Sequence, residues 1–176
     1  MQLHPKDGRA LLYTYGFSEI APEDMGANYI ENPEAAGALL KLICAKAKTT
    51  TFQAVAALPI PSVFSAVLSL ASVPRKELAQ AVQWEAKKLI PLPLTEVTID
   101  FKELKFALEK SEAKEPKSIE ILLTAAPKGI IDKYLAIAKI AGITLTSLET
   151  EAFALIRSVV GTDPTPTVLI DIGAVR

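Results

Sequence analysis

One cysteine, one histidine and one tryptophan occur in 176 residues, and these scarcities close off whole classes of chemistry. With Cys44 alone, neither an intramolecular disulfide nor a cysteine-rich zinc site can form, and a reducing compartment is the expected home. His4 lies near the N-terminus, where chains fray. Any Cys–His or Ser–His–Asp machinery would hang on that one side chain, so the chain does not read as a hydrolase, a metalloenzyme or a redox enzyme. Basic excess is also missing: 19 Lys and Arg stand against 20 Asp and Glu, a net charge of -1. Proteins that live on phosphate contacts carry a positive surplus, so nucleic acid is not the expected partner. No apolar run approaches the roughly 20 residues that cross a bilayer, and the first residues lack the charged-then-apolar order of a signal peptide. The expectation is a cytoplasmic protein without a direct membrane span. A Walker-type glycine loop and a basic run with interleaved aromatics are absent too.

What is present describes a folded α/β (α+β) chain. Half of the residues are hydrophobic and 22% are charged, which excludes disorder by composition. Arg9 to Phe17 reads as a strand after the turn Lys6-Asp7-Gly8. Asn32-Pro33-Glu34 is a helix start: a capping side chain, a proline at the first helical position, an acid in the first turn. Ala36, Leu39, Leu40, Ile43 and Ala47 then repeat at helical spacing, with Cys44 beside the stripe as a small buried hydrophobe. Phe52 to Leu58 reads as a buried strand ending in the stiff Pro59-Ile60-Pro61, and Val63 to Leu70 as another strand. A second helix runs from Pro74 to Ile90 and stops at Pro91-Leu92-Pro93. Val97, Ile99 and Phe101 alternate with polar residues, the pattern of a half-buried strand. Glu109 to Lys117 reads as a charged hairpin loop, and Ile119 to Ala125 as the returning strand. Pro127 opens a third helix capped by Gly142, Ile143 to Leu148 is a strand, and Thr150 to Val160 is a fourth helix closed by Gly161. Val168 to Gly173 reads as a fully apolar strand running into a glycine turn. Alternation of strands and helices predicts sheets covered by helices.

Two features could carry chemistry. A buried strand ending in Asp171-x-Gly173 would place a carboxylate at a strand's carboxyl end, where open α/β sheets bind ligands. Glycine there permits close approach to a phosphate, and the acid can hold hydrated Mg²⁺; the same tripeptide also serves as a plain turn. In the second helix, at about 100° per residue, Glu85 falls inside the apolar arc of Leu78, Ala81, Val82, Ala86 and Leu89, with Trp84 at its edge. A carboxylate in an apolar stripe is costly unless it is paired or hydrogen-bonded. Glu85 therefore either sits at a rim, reaching water or a donor, or lines a groove and accepts from a partner chain.

The order of segments resembles a known family. Ala54-Val55-Ala56-Ala57-Leu58-Pro59, Val63-Phe64, and Val82-Gln83-Trp84-Glu85-Ala86-Lys87-Lys88-Leu89-Ile90-Pro91-Leu92-Pro93 are similar to segments of the PilM family, actin-like proteins of type IV pilus assembly. Leu122-Leu123-Thr124-Ala125-Ala126-Pro127-Lys128, Leu148 to Leu155, and Val168 to Ala174 resemble later segments of that family in the same order. The cell-division FtsA family shares the architecture.

The resemblance implies a partial actin-like ATPase fold. An incomplete ribonuclease-H-like subdomain would comprise residues 1–60 and 149–176, and a small inserted subdomain of the PilM/FtsA (SHS2-like) type residues 61–148. It also implies a scaffold that docks the short N-terminal tail of a PilN-like inner-membrane protein between those subdomains, with Phe64, Trp84 and Glu85 as the groove candidates. Self-association would follow from an incomplete sheet edge. The family binds ATP between two lobes, and Asp171 and Gly173 match its second phosphate-binding segment. On this resemblance the family's first phosphate segment would be expected before Met1, where this sequence shows none, and the second lobe would lie beyond Arg176. The expectation is half of a phosphate and Mg²⁺ site, no catalytic residue, and no measurable ATP affinity. A nucleotide-binding actin-like ATPase and an FtsA-type filament protein are the alternatives.

Overall fold

A computed structural model describes residues 1–6, 9–18, 29–71, 73–104, 118–161 and 165–172. The chain divides into two units, one formed by Met1–Ile60 and Asp132–Arg176, the other by Pro61–Ile131. The expected hairpin loop at Glu109 to Lys117 lies outside the described residues, as do Gly173 and Ala174.

In the unit Pro61–Ile131, strand β4 (Phe64–Ala71) precedes helix α2 (Leu78–Leu89), and strands β5 (Val97–Leu104) and β6 (Ser118–Pro127) follow. The sheet is three-stranded and antiparallel, in the order β4-β6-β5. Its register places Leu68 opposite Ile121, Ala66 opposite Leu123 on one side, and Phe101 opposite Leu123 on the other. Alternate residues of a strand share a face, so Leu68, Leu70, Ile121, Leu123, Ala125 and Val97 all face one way, where α2 covers them with Val82 and Ala86. Ile121, Leu123 and Val82 are wholly removed from water, and each large aliphatic side chain so buried contributes about 1.5–3 kcal/mol.

Helix α2 is shorter at its start than its sequence pattern predicts. Pro74 to Glu77 form a turn, in which the Glu77 N–H donates to the Pro74 carbonyl at 2.8 Å. Helical geometry then begins at Leu78, without a side-chain cap. At the other end Ile90 is extended, with ψ of 122°, because the ring of Pro91 disfavours a helical residue before it. That swing carries Ile90 into the core and leaves Leu89 46% exposed. Leu89 is thus not part of the buried stripe.

In the other unit, β1 (Gln2–Lys6) and β2 (Arg9–Thr14) form an antiparallel hairpin. The hairpin is tied to the end of helix α1 (Pro33–Lys46). The Gln2 amide donates to Thr50 Oγ1 at 2.7 Å and accepts from the Thr50 N–H at 2.8 Å, while Thr14 Oγ1 donates to the Ala47 carbonyl at 2.7 Å. Asn32 caps α1 by accepting from the Ala35 N–H at 3.1 Å. Strand β3 (Gln53–Leu58) runs parallel to β7 (Thr144–Thr150). A parallel pair needs a crossover connection, and this one ends in helix α3 (Lys128–Ala141). Its C-terminus is closed at Gly142, φ +73°, with the Ile143 N–H donating to the Ala138 carbonyl at 2.8 Å. Helix α4 (Glu151–Val159) is capped by Thr150 Oγ1 and closed at Gly161, φ +61°. Helices α1 and α3 touch where Gly37 is buried: a Cβ there would stand 2.6 Å from Ile140 Cβ.

Through β7, which pairs with β3, the chain returns to this unit after the segment Pro61–Ile131. Three strand expectations need correction. β1 was not foreseen, because Pro5 interrupts its pattern; an edge strand tolerates a residue without an N–H. β3 is half exposed rather than buried, with Val55 55% exposed and Phe52, just before it, 60% exposed, since a two-stranded sheet leaves much of its surface uncovered. Residues 166–172 form no strand, and Val168, Ile170 and Ile172 are 78% to 89% exposed. An apolar strand needs neighbours to accept its backbone groups, and no described strand pairs with this segment. Cys44 is partly exposed rather than buried.

Candidate functional site

Helix α2 resolves the status of Glu85. With Val82 and the small residues Ala81 and Ala86 turned toward the sheet, Glu85 stands at the rim of that face. Its carboxylate accepts from Lys88 Nζ at 2.7 Å, one helical turn on, and the two side chains are 39% and 65% exposed. The charge is thus paired and wet, which removes the penalty that its place in the apolar arc implied.

Trp84 points the other way. At about 100° per residue it lies roughly opposite Val82 and Ala86, flanked on the helix surface by Lys87 and Lys88. It is 64% exposed. An exposed indole beside two ammonium groups offers a flat apolar surface with positive charge at its margin, suited to an apolar side chain accompanied by an acid. Phe64, at the start of β4, packs instead against the core cluster beneath α2 and is partly buried. Phe64 therefore belongs to the inner side of α2, Glu85 to its rim and Trp84 to its outer surface.

The other unit carries two features that sequence reasoning missed. Past the end of β2, Tyr15 and Phe17 stack with ring centroids 6.4 Å apart and planes 7° from parallel. Gly16 between them presses on α1, where a Cβ would lie 2.6 Å from Ile43 Cγ2. Together with Leu39, Leu42 and Lys46 they line an open groove of about 550 Å³. Alternating aromatics around a glycine were a usable signal, but only the helix packing turns them into a wall. Tyr134 is the second feature. Its hydroxyl donates to the Ala57 carbonyl at 3.2 Å, and burial, then the nearby Glu151 carboxylate, pushes its ionisation above the usual phenol value.

Asp171 is exposed, on the segment that forms no strand, and Gly173 lies outside the described residues. The carboxylate is therefore not presented from the end of a buried strand, the geometry that a phosphate and Mg²⁺ site requires. No group of three His, Cys, Asp or Glu is placed to hold a metal ion among the described residues. His4 is exposed, its Nδ1 3.3 Å from the Pro5 carbonyl and its ring 6.2 Å from that of Tyr13. Among the described residues, no helix is long and apolar enough to cross a membrane.

Against known families, the model of "Type IV pilus assembly protein PilM" matches residues 2–167. The chain belongs to the PilM family. A solved structure titled "PilM-PilN type IV pilus biogenesis complex" is similar over 70% of this chain, with 29% sequence identity and a TM-score of 0.62. The fold is accordingly α/β and actin-like, in part. The similar region spans 36% of that solved chain, so this chain covers about a third of the length of the relative it matches.

Proposed function

We propose that this chain is part of a type IV pilus assembly scaffold that docks the N-terminal cytoplasmic tail of a PilN-like inner-membrane protein. The observation that carries the reading is that the similar solved structure is a complex of PilM with PilN, joined to a family match along nearly the whole chain. On this reading the protein is cytoplasmic and reaches the inner membrane through its partner. The unit holding β3 and β7 is the incomplete ribonuclease-H-like subdomain, and Pro61–Ile131 is the core of the small inserted one.

A tail of this kind binds extended, through backbone hydrogen bonds and a few apolar anchors. Trp84 is the proposed anchor, because exposed tryptophans concentrate binding energy when a partner covers them. Glu85 accepts from a tail donor, in exchange for or alongside Lys88, while Phe64, packed on the core beneath α2, backs the helix and does not touch the tail.

Trp84 is the only tryptophan, so its fluorescence reports on this surface alone. Titration with a synthetic PilN-like tail is expected to shift the emission to the blue. Trp84→Ala is expected to weaken tail binding about 30-fold or more, the loss of about 2 kcal/mol that marks a central anchor, and Trp84→Phe to restore part of it. Tail binding unaltered by Trp84→Ala and by Glu85→Gln removes both residues from the site. No tail binding at all, with retention on an ATP resin, favours a nucleotide role instead.

A further inference from the structure

The sheet of the unit Pro61–Ile131 has two unlike edges. In the order β4-β6-β5, both outer strands end the sheet among the described residues. Unpaired edges invite another strand, and natural sheets guard them with charge, proline or a bulge. β5 is guarded: Asp100, Lys102 and Glu103 are exposed along it, and the Asp100 carboxylate accepts the Phe101 N–H at 2.9 Å. β4 has none of these devices. Its eight residues, Phe-Ser-Ala-Val-Leu-Ser-Leu-Ala, include no charge, no proline and no glycine, and they pair with β6 without a bulge.

β4 is also symmetric in polarity about Val67. Ser65 and Ser69 stand two residues to either side, Ala66 and Leu68 one residue, and Phe64 and Leu70 three. We propose that β4 pairs antiparallel with β4 of a second copy of this chain, across a two-fold axis at Val67. In antiparallel pairing, opposed residues share a face and their Cβ atoms lie about 4.5–5.5 Å apart. A centre at Val67 therefore sets Phe64 against Leu70 and Ala66 against Leu68 on the core-facing side. On the other side Ser65 meets Ser69, hydroxyl to hydroxyl, and Val67, 56% exposed in the single chain, meets itself. A two-fold contact brings each residue against its own strand's partner, and an uncharged palindromic strand is one that suffers no repulsion there. The two three-stranded sheets become one six-stranded sheet. An extended peptide from another protein could use the same backbone groups, but the palindrome would do nothing for it.

Sedimentation of the chain from about 1 µM to about 1 mM, the range of weak interfaces, is expected to show the mass rising from 18.9 kDa toward twice that value. Val67 lies on the face away from the core, so Val67→Lys and Val67→Glu leave the thermal melt unchanged while each keeps the chain single. An equimolar mixture of the two variants dimerises again, because only pairing of position 67 with itself sets those opposite charges face to face. Wild-type chain that stays single throughout overturns the proposal, as does either variant dimerising like wild type, or a mixture that stays single. A tail peptide that binds single wild-type chain and loses its binding in Val67→Lys also overturns it, since the edge then belongs to a peptide.

Discussion

Lys48 holds the left-handed conformation, φ +53°, just past the end of α1. For a residue with a side chain that conformation costs about 1–2 kcal/mol, and glycine is the usual occupant. Lys48→Gly is expected to stabilise the fold by about 0.5–1 kcal/mol, the relief less the extra freedom of the unfolded glycine, read as a higher urea midpoint. Glu149 supplies a test in acid. It is bound by both terminal nitrogens of Arg157, and that hydrogen-bonded pairing holds its carboxyl below the ordinary 4.5. A depressed folded value adds stability above the unfolded value, and the gain disappears as the pH falls through the folded one. Stability should therefore decline below about pH 4.5 more steeply in wild type than in Glu149→Gln, as followed by urea midpoints across that range. Such details differ in how far the chain itself announces them. Asn32, Gly142 and Gly161 were legible as caps, because capping depends on the residue and its immediate neighbours. Nothing local marks Lys48, where a glycine would be expected, or Lys88 as the partner that keeps Glu85 paired.

At the scale of elements, the unit Pro61–Ile131 is a sheet held by one helix. Leu123 lies at its centre, opposite Ala66 on one side and Phe101 on the other, with no exposure to water. Leu123→Ala should cost about 2–5 kcal/mol by thermal or chemical melting, with the upper part of that range if the cavity does not collapse. In the other unit, Gly37→Val forces α1 and α3 apart at Ile140 and is expected to cost about 1–3 kcal/mol; a melt equal to wild type would show that the helices can slide. The periodicity of α1, α3 and α4, and the alternation of β5, carried these elements clearly. β1 and residues 166–172 did not read correctly for one shared reason. A strand is defined by its neighbour, so Pro5 could be accommodated in a pair, whereas an ideal apolar run from Val168 to Ile172 has no described partner.

For the molecule as a whole, the separation of Asp171 from any described sheet bears on nucleotide binding. A carboxylate on a segment that forms no strand is not held at the carboxyl end of a sheet, where such folds place ligands, so calorimetry of this chain with Mg-ATP is expected to show no micromolar binding; a clear micromolar isotherm would mean that residues outside those described complete a site. What the amino-acid order determined by itself was the class of chain: a folded α/β protein, patterned in a succession of segments that places it among PilM proteins. Those properties are sums and local patterns, which survive without knowledge of what meets what. Tertiary structure alone decided that β7 pairs with β3, that Trp84 faces out while Phe64 faces in, and that β4 ends its sheet among the described residues. Each of these depends on contacts between residues far apart in the chain, which no local pattern encodes.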